Sequence, residues 1–276
     1  MTTLAGVLGD PIAQSRSPAL HGHWLDRYGI DGAYLPLHVP LPDLRATLAL
    51  LPQIGFAGVN VTMPLKEEAF ALADEATERA RINGAANTLR FRNGAILADN
   101  TDGHGFLAAL DQGAPGWDAV GGAAVVLGAG GAARGIVAAL LGRGIGRVVL
   151  ANRNRARAEA LAADLAALPG EIAVIDPAAL PAALEGAALL ANATSLGMQG
   201  NPPLEIDLAP LPAGATVTDI VYSPLETPLL AAARARGLAA VDGLGMLLHQ
   251  AAPGFEAWFG RAPEVDAELR AAVLGG

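Results

Sequence analysis

The stretch "VVLGAGGAARG", Val125 to Gly135, constrains the fold of this chain more than any other. An apolar, strand-like run passes directly into a glycine turn and then into a helical run. Gly128, Gly130 and Ala133 take the three small positions of the pattern G-x-G-x-x-G/A. The first glycine permits a tight turn, the second lets backbone approach a pyrophosphate, and the small third residue lets helix and strand pack. Backbone N–H groups at the helix start then face the anion. A purely structural glycine turn explains the letters less well, because strand, turn, helix and following strand are all present.

The strand-like runs that follow are "RVVLAN", "IAVID", "ALLANAT", "TVTDIVY" and "LAAVDG", each separated by helical or glycine- and proline-rich segments. That order predicts a doubly wound parallel sheet. About 20 residues after such a fingerprint an acidic residue normally holds the ribose 2′-hydroxyl of NAD. Here Asn152 stands in that place, and Arg153, Arg155 and Arg157 follow in "ANRNRARAE". Guanidinium forks attract a 2′-phosphate that a carboxylate would repel, so the site favours NADP over NAD. A solvated basic helix start is the bland alternative. Arginines suit a helix N-terminus poorly, and a bound anion explains the cluster better.

The first hundred residues alternate short strand-like and helical runs, which indicates an α/β layer structure. Asn93-Gly94, between two partly alternating runs, is a strong two-residue hairpin signal, so this first sheet is expected to be mixed. With 276 residues and 52% hydrophobic content the chain has enough for two domains of ordinary size. Their expected limits are residues 1–102 for substrate binding and catalysis and 103–243 for the dinucleotide, with helices in 244–276 packing back on the first. Pro253-Gly254 is expected to bend or break the last long helical pattern.

A net charge of −9 argues against nucleic acid or an anionic membrane as partner. The absence of cysteine excludes disulfides, thiolate catalysis and cysteine-ligated metal, and is compatible with the cytoplasm. "MTTLAGVLGDP" lacks the basic and long apolar regions of a signal peptide. Ala119 to Leu141 is apolar enough to suggest a membrane span, yet its glycines and Arg134 fit a strand, turn and helix. His21 and His23 lie two apart on a predicted helix and face different ways, so no metal is expected.

"SRSP" places Ser15, Ser17 and Pro18 at a helix start, with Ser17 as N-cap and Pro18 at the first helical position. The cap explains Ser17 and leaves Ser15, and two hydroxyls beside exposed helix amides suit a substrate carboxylate. In "GVNVTMPLKEEA" a strand runs into Pro64, at a plausible first helical turn. Lys66 follows where the helix dipole disfavours a cation. Asn60 and Thr62 lie upstream; Asn87 and Asp102 come later in "GAANT" and "DNTDG". A lone lysine there is ordinarily solvated, and Asp102 alone could be a turn or cap residue. The case for chemistry is both charges lying near element ends in a chain that also carries a nicotinamide-type site.

Over nearly its whole length the chain resembles the shikimate dehydrogenases. The resemblance is carried by "SRSP", "NVTMPLK", "GAANTL", "DNTDG", "LGAGGAARG", "NRNRARAE", "NATSLGM", "TDIVYSPLETPLL" and "DGLGMLLHQAA", in this order and spacing. The family implies a mixed-sheet α/β substrate domain joined to a Rossmann-type domain, and NADP-dependent interconversion of 3-dehydroshikimate and shikimate on the way to aromatic amino acids. It further implies substrate contacts at Ser15, Ser17, Thr62, Asn87, Asp102, Tyr222 and Gln250, with Lys66 and Asp102 at the chemistry. Cofactor lining is implied for Gly128, Ala129, Gly130, Gly131, Ala132, Asn152, Arg153, Asn154, Arg155, Ala156, Arg157, Ile220, Gly243 and Met246, with Glu78 a minor position. Asn154 departs from the family's frequent threonine, which turns a hydroxyl contact to the phosphate into an amide contact. A small-molecule substrate and a monomer or homodimer are expected.

Lysine has a reference pKa of about 10.4. The helix dipole and desolvation are expected to lower that of Lys66, and a nearby Asp102 carboxylate to raise it. If the carboxylate wins, Lys66 is a charged donor to the developing alkoxide in the reductive direction. A quinate/shikimate dehydrogenase of the same fold using NAD is the nearest rival, and the arginine cluster argues against it. A non-catalytic dinucleotide or metabolite sensor would have no need of the Lys66 and Asp102 pair.

Overall fold

The computed structural model describes residues 2–275. The chain divides into two compact units, residues 1–101 with 250–276 and residues 102–249. Residues 244–249 thus fall with the second unit, and the helix that contains them passes from one unit into the other.

The first unit is built on a six-stranded sheet of β1 (Thr3–Gly9), β2 (Gly32–His38), β3 (Phe56–Val61), β4 (Glu75–Ala76), β5 (Thr88–Arg92) and β6 (Ala95–Asp99). Their order is β2-β1-β3-β5-β6-β4. β1 runs parallel to β2 and β3, whereas β5 runs antiparallel to both β3 and β6, so the sheet is mixed as expected. Asn93 and Gly94 turn the β5–β6 hairpin with φ of 53° and 80°. Two consecutive positive φ angles define the tight turn whose twist matches the strands.

The helices of this unit are α1 (Ser17–Tyr28), α2 (Leu44–Leu50), α3 (Lys66–Ala71) and α4 (Glu78–Asn83). One apolar core gathers Leu8, Leu44, Leu48, Val59, Val61, Leu65 and Leu89 between sheet and helices.

The second unit starts with α5 (Asp102–Gly113) and alternates β7 (Ala123–Leu127), α6 (Gly131–Gly142), β8 (Arg147–Ala151), α7 (Arg155–Asp164), β9 (Glu171–Ile175), α8 (Leu180–Leu184), β10 (Ala187–Asn192), β11 (Thr216–Asp219), α9 (Pro228–Ala235) and β12 (Ala239–Val241). All neighbours pair in parallel in the order β12-β11-β10-β7-β8-β9. This is the doubly wound order that reverses between β7 and β10. The run from Ala119 to Leu141 resolves into β7, the glycine turn and α6. Among the described residues no helix is long and apolar enough to cross a membrane.

α10 (Gly243–Phe259) continues through Pro253, so the chain does not break there as one of the two expectations had it. Proline removes one helix hydrogen bond, and apolar burial on the following turns outweighs that loss. Ala251, Phe255 and Trp258 are buried in the first unit, where a Cβ on Gly254 would stand 2.9 Å from the Trp258 ring. α11 (Ala267–Gly275) closes the chain, and its Val273 carbonyl accepts a hydrogen bond from Arg16 at 2.7 Å.

Candidate functional site

In the first unit, strand directions concentrate the polar candidates. The carboxyl ends of parallel β1 and β3 and the amino end of antiparallel β5 fall on the same edge of the sheet. Ser15 and Ser17 follow β1, Thr62 and Lys66 follow β3, and Asn87 precedes β5. Backbone hydrogen bonds lock these segments together. The Val61 N–H donates to the Asn87 carbonyl at 2.8 Å, Thr62 to Leu8 at 2.9 Å, and Ala86 to the Lys66 carbonyl at 2.8 Å.

Lys66 is half-buried at the first position of α3, with Glu67 and Glu68 behind it in the same turn. Pro64 lies outside this helix, after a cis Met63-Pro64 peptide, and Leu65 is the N-cap. Proline's fixed φ therefore shapes the turn before the helix rather than its first turn.

Ser17 likewise does not hold the N-cap position expected for it. It is the first residue of α1, Arg16 holds the N-cap position, and the Ser17 N–H donates to the Ser15 hydroxyl at 3.3 Å. Ser15 thus acts as the local acceptor, and with Pro18 lacking an N–H this helix start offers fewer open amides than its sequence suggests. Ser17 is buried and hydrogen-bonds the Tyr34 phenol, whose pKa burial pushes up.

Asn87 is a hub of side-chain hydrogen bonds in this unit. It accepts from the Thr101 N–H at 2.9 Å and donates to the Thr101 hydroxyl at 2.9 Å and to Gln250 Oε1 at 3.1 Å. Ser17 and Asn87, both buried, and half-buried Gln250 are thereby linked in one network, Ser17 through Tyr34 and Asn60. Glu78, exposed at the first turn of α4, belongs to this unit and not to that of the other cofactor candidates. Asp102, next in the chain after Thr101, opens α5 and is the first residue of the second unit.

In the second unit a cavity of about 570 Å³ opens at the carboxyl ends of β7, β8 and β10, where the strand order reverses. It is lined by Gly128, Ala129, Gly130, Asn152, Arg153, Arg157, Thr194, Ser195 and Leu196. Gly128 has φ 107°, and a Cβ there would press on Ala193 and Thr194. Gly130 caps α6, and Ala133 is wholly buried against the sheet. Gly131 and Ala132 form the first turn of α6.

The three arginines do not act alike. Arg153 and Arg157 line the cavity, and the Arg157 guanidinium lies 3.8 Å from where a Gly130 Cβ would stand. Arg155 is exposed and paired with Glu159 at 2.8 Å and Asp176 at 3.0 Å. Asn154 caps α7 by accepting from the Arg157 N–H at 3.1 Å, which commits its oxygen and leaves its NH2 as the group suited to a phosphate. Asn152 donates to the Asn154 carbonyl at 2.8 Å, and Ala156 is exposed in the first turn of α7.

Ile220 and Gly243 meet directly, since a Cβ on Gly243 would lie 2.2 Å from the Ile220 carbonyl oxygen. Met246 is half-buried one turn further along α10, and Tyr222 is half-buried beyond Val221. Asp219 holds this strand end. It accepts from the Val221 N–H at 3.0 Å, Thr227 at 2.8 Å and Asn192 at 2.9 Å. Burial nevertheless raises its carboxyl pKa against those hydrogen bonds. Asn192 also accepts from the Thr194 hydroxyl at 2.7 Å, so the lining of the cavity is braced from behind. Thr194, Ser195 and Leu196 carry no role in the reading of the sequence; their signal is their place just after β10, beside the reversal of strand order.

Residues 7–89 match the shikimate dehydrogenase substrate binding domain, 117–197 the shikimate/quinate 5-dehydrogenase family, and 243–272 the shikimate 5′-dehydrogenase C-terminal domain. A shikimate dehydrogenase (NADP(+)) of Rhodospirillum rubrum is 61% identical over 276 residues, spanning 99% of this chain and 97% of the relative. The chain belongs to the shikimate dehydrogenase family. Among solved members, the Thermus thermophilus shikimate 5-dehydrogenase in complex with NADP(H) and shikimate is 37% identical with a TM-score of 0.87, covering 100% of this chain and 99% of that one. The quinate dehydrogenase of Corynebacterium glutamicum in complex with NAD is 31% identical with a TM-score of 0.91, covering 100% and 99%.

Proposed function

We propose that this chain is an NADP-dependent shikimate dehydrogenase that reversibly reduces 3-dehydroshikimate to shikimate in the route to aromatic amino acids. The observation that carries the choice of cofactor is at the end of β8. Asn152 stands where an acid would hold a ribose 2′-hydroxyl, and Arg153 and Arg157 line the cavity beside it. Two guanidinium groups fit a 2′-phosphate, and Asn152 replaces the acid at that strand end, although Glu205 also lines the cavity. The glycine turn and the start of α6 suit the pyrophosphate, since a Cβ on Gly131 would meet nothing within 4 Å and one on Gly130 would meet the Arg157 guanidinium, itself an anion donor, at 3.8 Å. NADPH, when bound, supplies the hydride.

Protein groups supply binding and the proton. Ser15 and Ser17 are assigned to the substrate carboxylate, and Thr62, Asn87, Asp102, Tyr222 and Gln250 to its hydroxyls. Lys66 is assigned the proton delivered to the alkoxide oxygen as the carbonyl is reduced, and Asp102 the orientation of the reacting hydroxyl. In the oxidative direction Lys66 accepts that proton. Ile220, Gly243 and Met246 are assigned to the cofactor side, with Glu78 as a minor contact.

A nicotinamide absorbance assay crossing shikimate and quinate with NADP and NAD tests this reading. Turnover is expected with shikimate and NADP. Turnover only with quinate and NAD would assign the chain to the quinate branch, and none with any pair would favour a sensor.

A further inference from the structure

Behind the polar edge of the first unit lies a buried chain of hydrogen bonds whose direction is set by two backbone groups. The Asn87 carbonyl can only accept, so the Asn60 atom 3.0 Å from it is Nδ2. Asn60 Oδ1 therefore faces Tyr34, and the phenol donates to it at 2.6 Å. The Thr101 N–H can only donate, so the Asn87 atom facing it at 2.9 Å is Oδ1. Asn87 Nδ2 then points to Gln250 Oε1 at 3.1 Å. Thr88 joins the two amides, accepting from Asn60 Nδ2 at 3.1 Å and donating to Asn87 Oδ1 at 2.9 Å.

Tyr34 stands at the inner end of this chain. Its ring is stacked on His21 with centroids 3.9 Å apart and planes 4° from parallel, which restrains the phenol. Its oxygen is also hydrogen-bonded by Ser17. Tyr34, Asn60, Asn87, Thr88 and Thr101 are all buried, so no solvent is at hand to replace a lost partner.

We propose that Tyr34 is a positioning residue for the substrate: its hydroxyl fixes the Asn60 carboxamide, and through Asn60 and Thr88 the Asn87 carboxamide that meets a substrate hydroxyl. This rests on the assignment of Asn87 and Gln250 as substrate contacts. Removing the phenol hydroxyl leaves Asn60 Oδ1 buried without its donor. Asn60 is then no longer fixed at its oxygen, and Thr88, which bonds both carboxamides, holds Asn87 less firmly beside its Thr101 partners.

The test is Tyr34→Phe, which keeps the ring on His21 and removes one oxygen, measured alone and in an Asn87→Ala background. The expected result is a rise of about tenfold in the KM for shikimate with kcat and the KM for NADP little changed, the sign of lost uniform substrate binding. In the Asn87→Ala background the same substitution is expected to add less than about twofold, because coupled residues are non-additive. If Asn87→Ala does not fold, Asn87→Ser, which removes the carboxamide and keeps a small polar side chain, serves the same cycle. An unchanged shikimate KM, an equal rise in both backgrounds, or an equal rise for NADP overturns the proposal. Failure of the wild-type chain to turn over shikimate would instead refute the functional reading itself.

Discussion

The Trp258 indole N–H donates to the Leu89 carbonyl at 3.0 Å, and this bond passes directly over Gly58. A Cβ on Gly58 would stand 2.1 Å from the indole nitrogen and 2.2 Å from the carbonyl oxygen. The glycine is thus required by close approach and not by its backbone conformation. It lies on β3 two residues before Asn60, so the contact ties α10 to the strand that carries the polar site. Gly58→Ala is expected to lower stability to urea by about 1–3 kcal/mol, the usual cost of overpacking. It should also raise the KM for shikimate. Trp258→Phe, which frees the space and leaves the Leu89 carbonyl without this donor, is expected to cost about 1 kcal/mol. Unchanged urea midpoints for both variants would show the contact to be dispensable.

The arginines predict an unequal response to substitution. Arg157→Ala and Arg153→Ala are expected to raise the KM for NADPH about tenfold or more, with a much smaller effect on NADH, because the lost partner is the 2′-phosphate. Arg155→Ala should stay within about twofold, since its guanidinium is held by Glu159 and Asp176. Added salt should weaken NADPH binding more than NADH binding. Equal losses for both cofactors in Arg157→Ala would remove the phosphate assignment.

Much of this layout is legible in the sequence because its signals are local. The glycine turn before α6 and Asn93-Gly94 each satisfy a short-range backbone requirement, and the structure shows both where the letters put them. What escapes depends on residues distant in the chain. Pro253 reads as a helix breaker until Phe255 and Trp258 are seen buried on the turns beyond it. Arg155 cannot be told from Arg153 and Arg157 until Asp176, 21 positions away, is found beside it. Tyr34 is an ordinary strand aromatic until its hydroxyl meets Asn60, 26 positions on.

Lys66 sits at the first turn of α3 with its carbonyl accepting from Ala86 N–H, beside Asn87. If it delivers the proton to the alkoxide, Lys66→Ala should lower kcat by about 10²–10⁴-fold with little change in the KM for shikimate. Asp102→Asn should lower kcat and raise that KM together, and alter the pH profile of kcat/KM. Near-normal turnover in Lys66→Ala would take the lysine out of the chemical step.

His21 makes the stability of the first unit depend on pH. Its ring is wholly buried among Tyr34, Trp24, Phe255 and Trp258, and burial lowers its pKa from 6.5 to about 3, against a weaker upward pull from Asn60. The folded chain therefore keeps the ring neutral at pH values where the unfolded chain protonates it. Its stabilising effect is complete above pH 6.5 and is lost progressively as pH falls toward about 3. His21→Phe retains an aromatic ring against Tyr34 and removes the titration. Between about pH 7 and pH 4.5 the wild type should lose roughly 2.5 kcal/mol more unfolding free energy than the variant, as linkage for this shift requires. Comparison with the variant cancels the carboxylates common to both. Urea unfolding curves that shift in parallel over that range would mean that the histidine stays neutral in the unfolded chain or takes up its proton in the folded one.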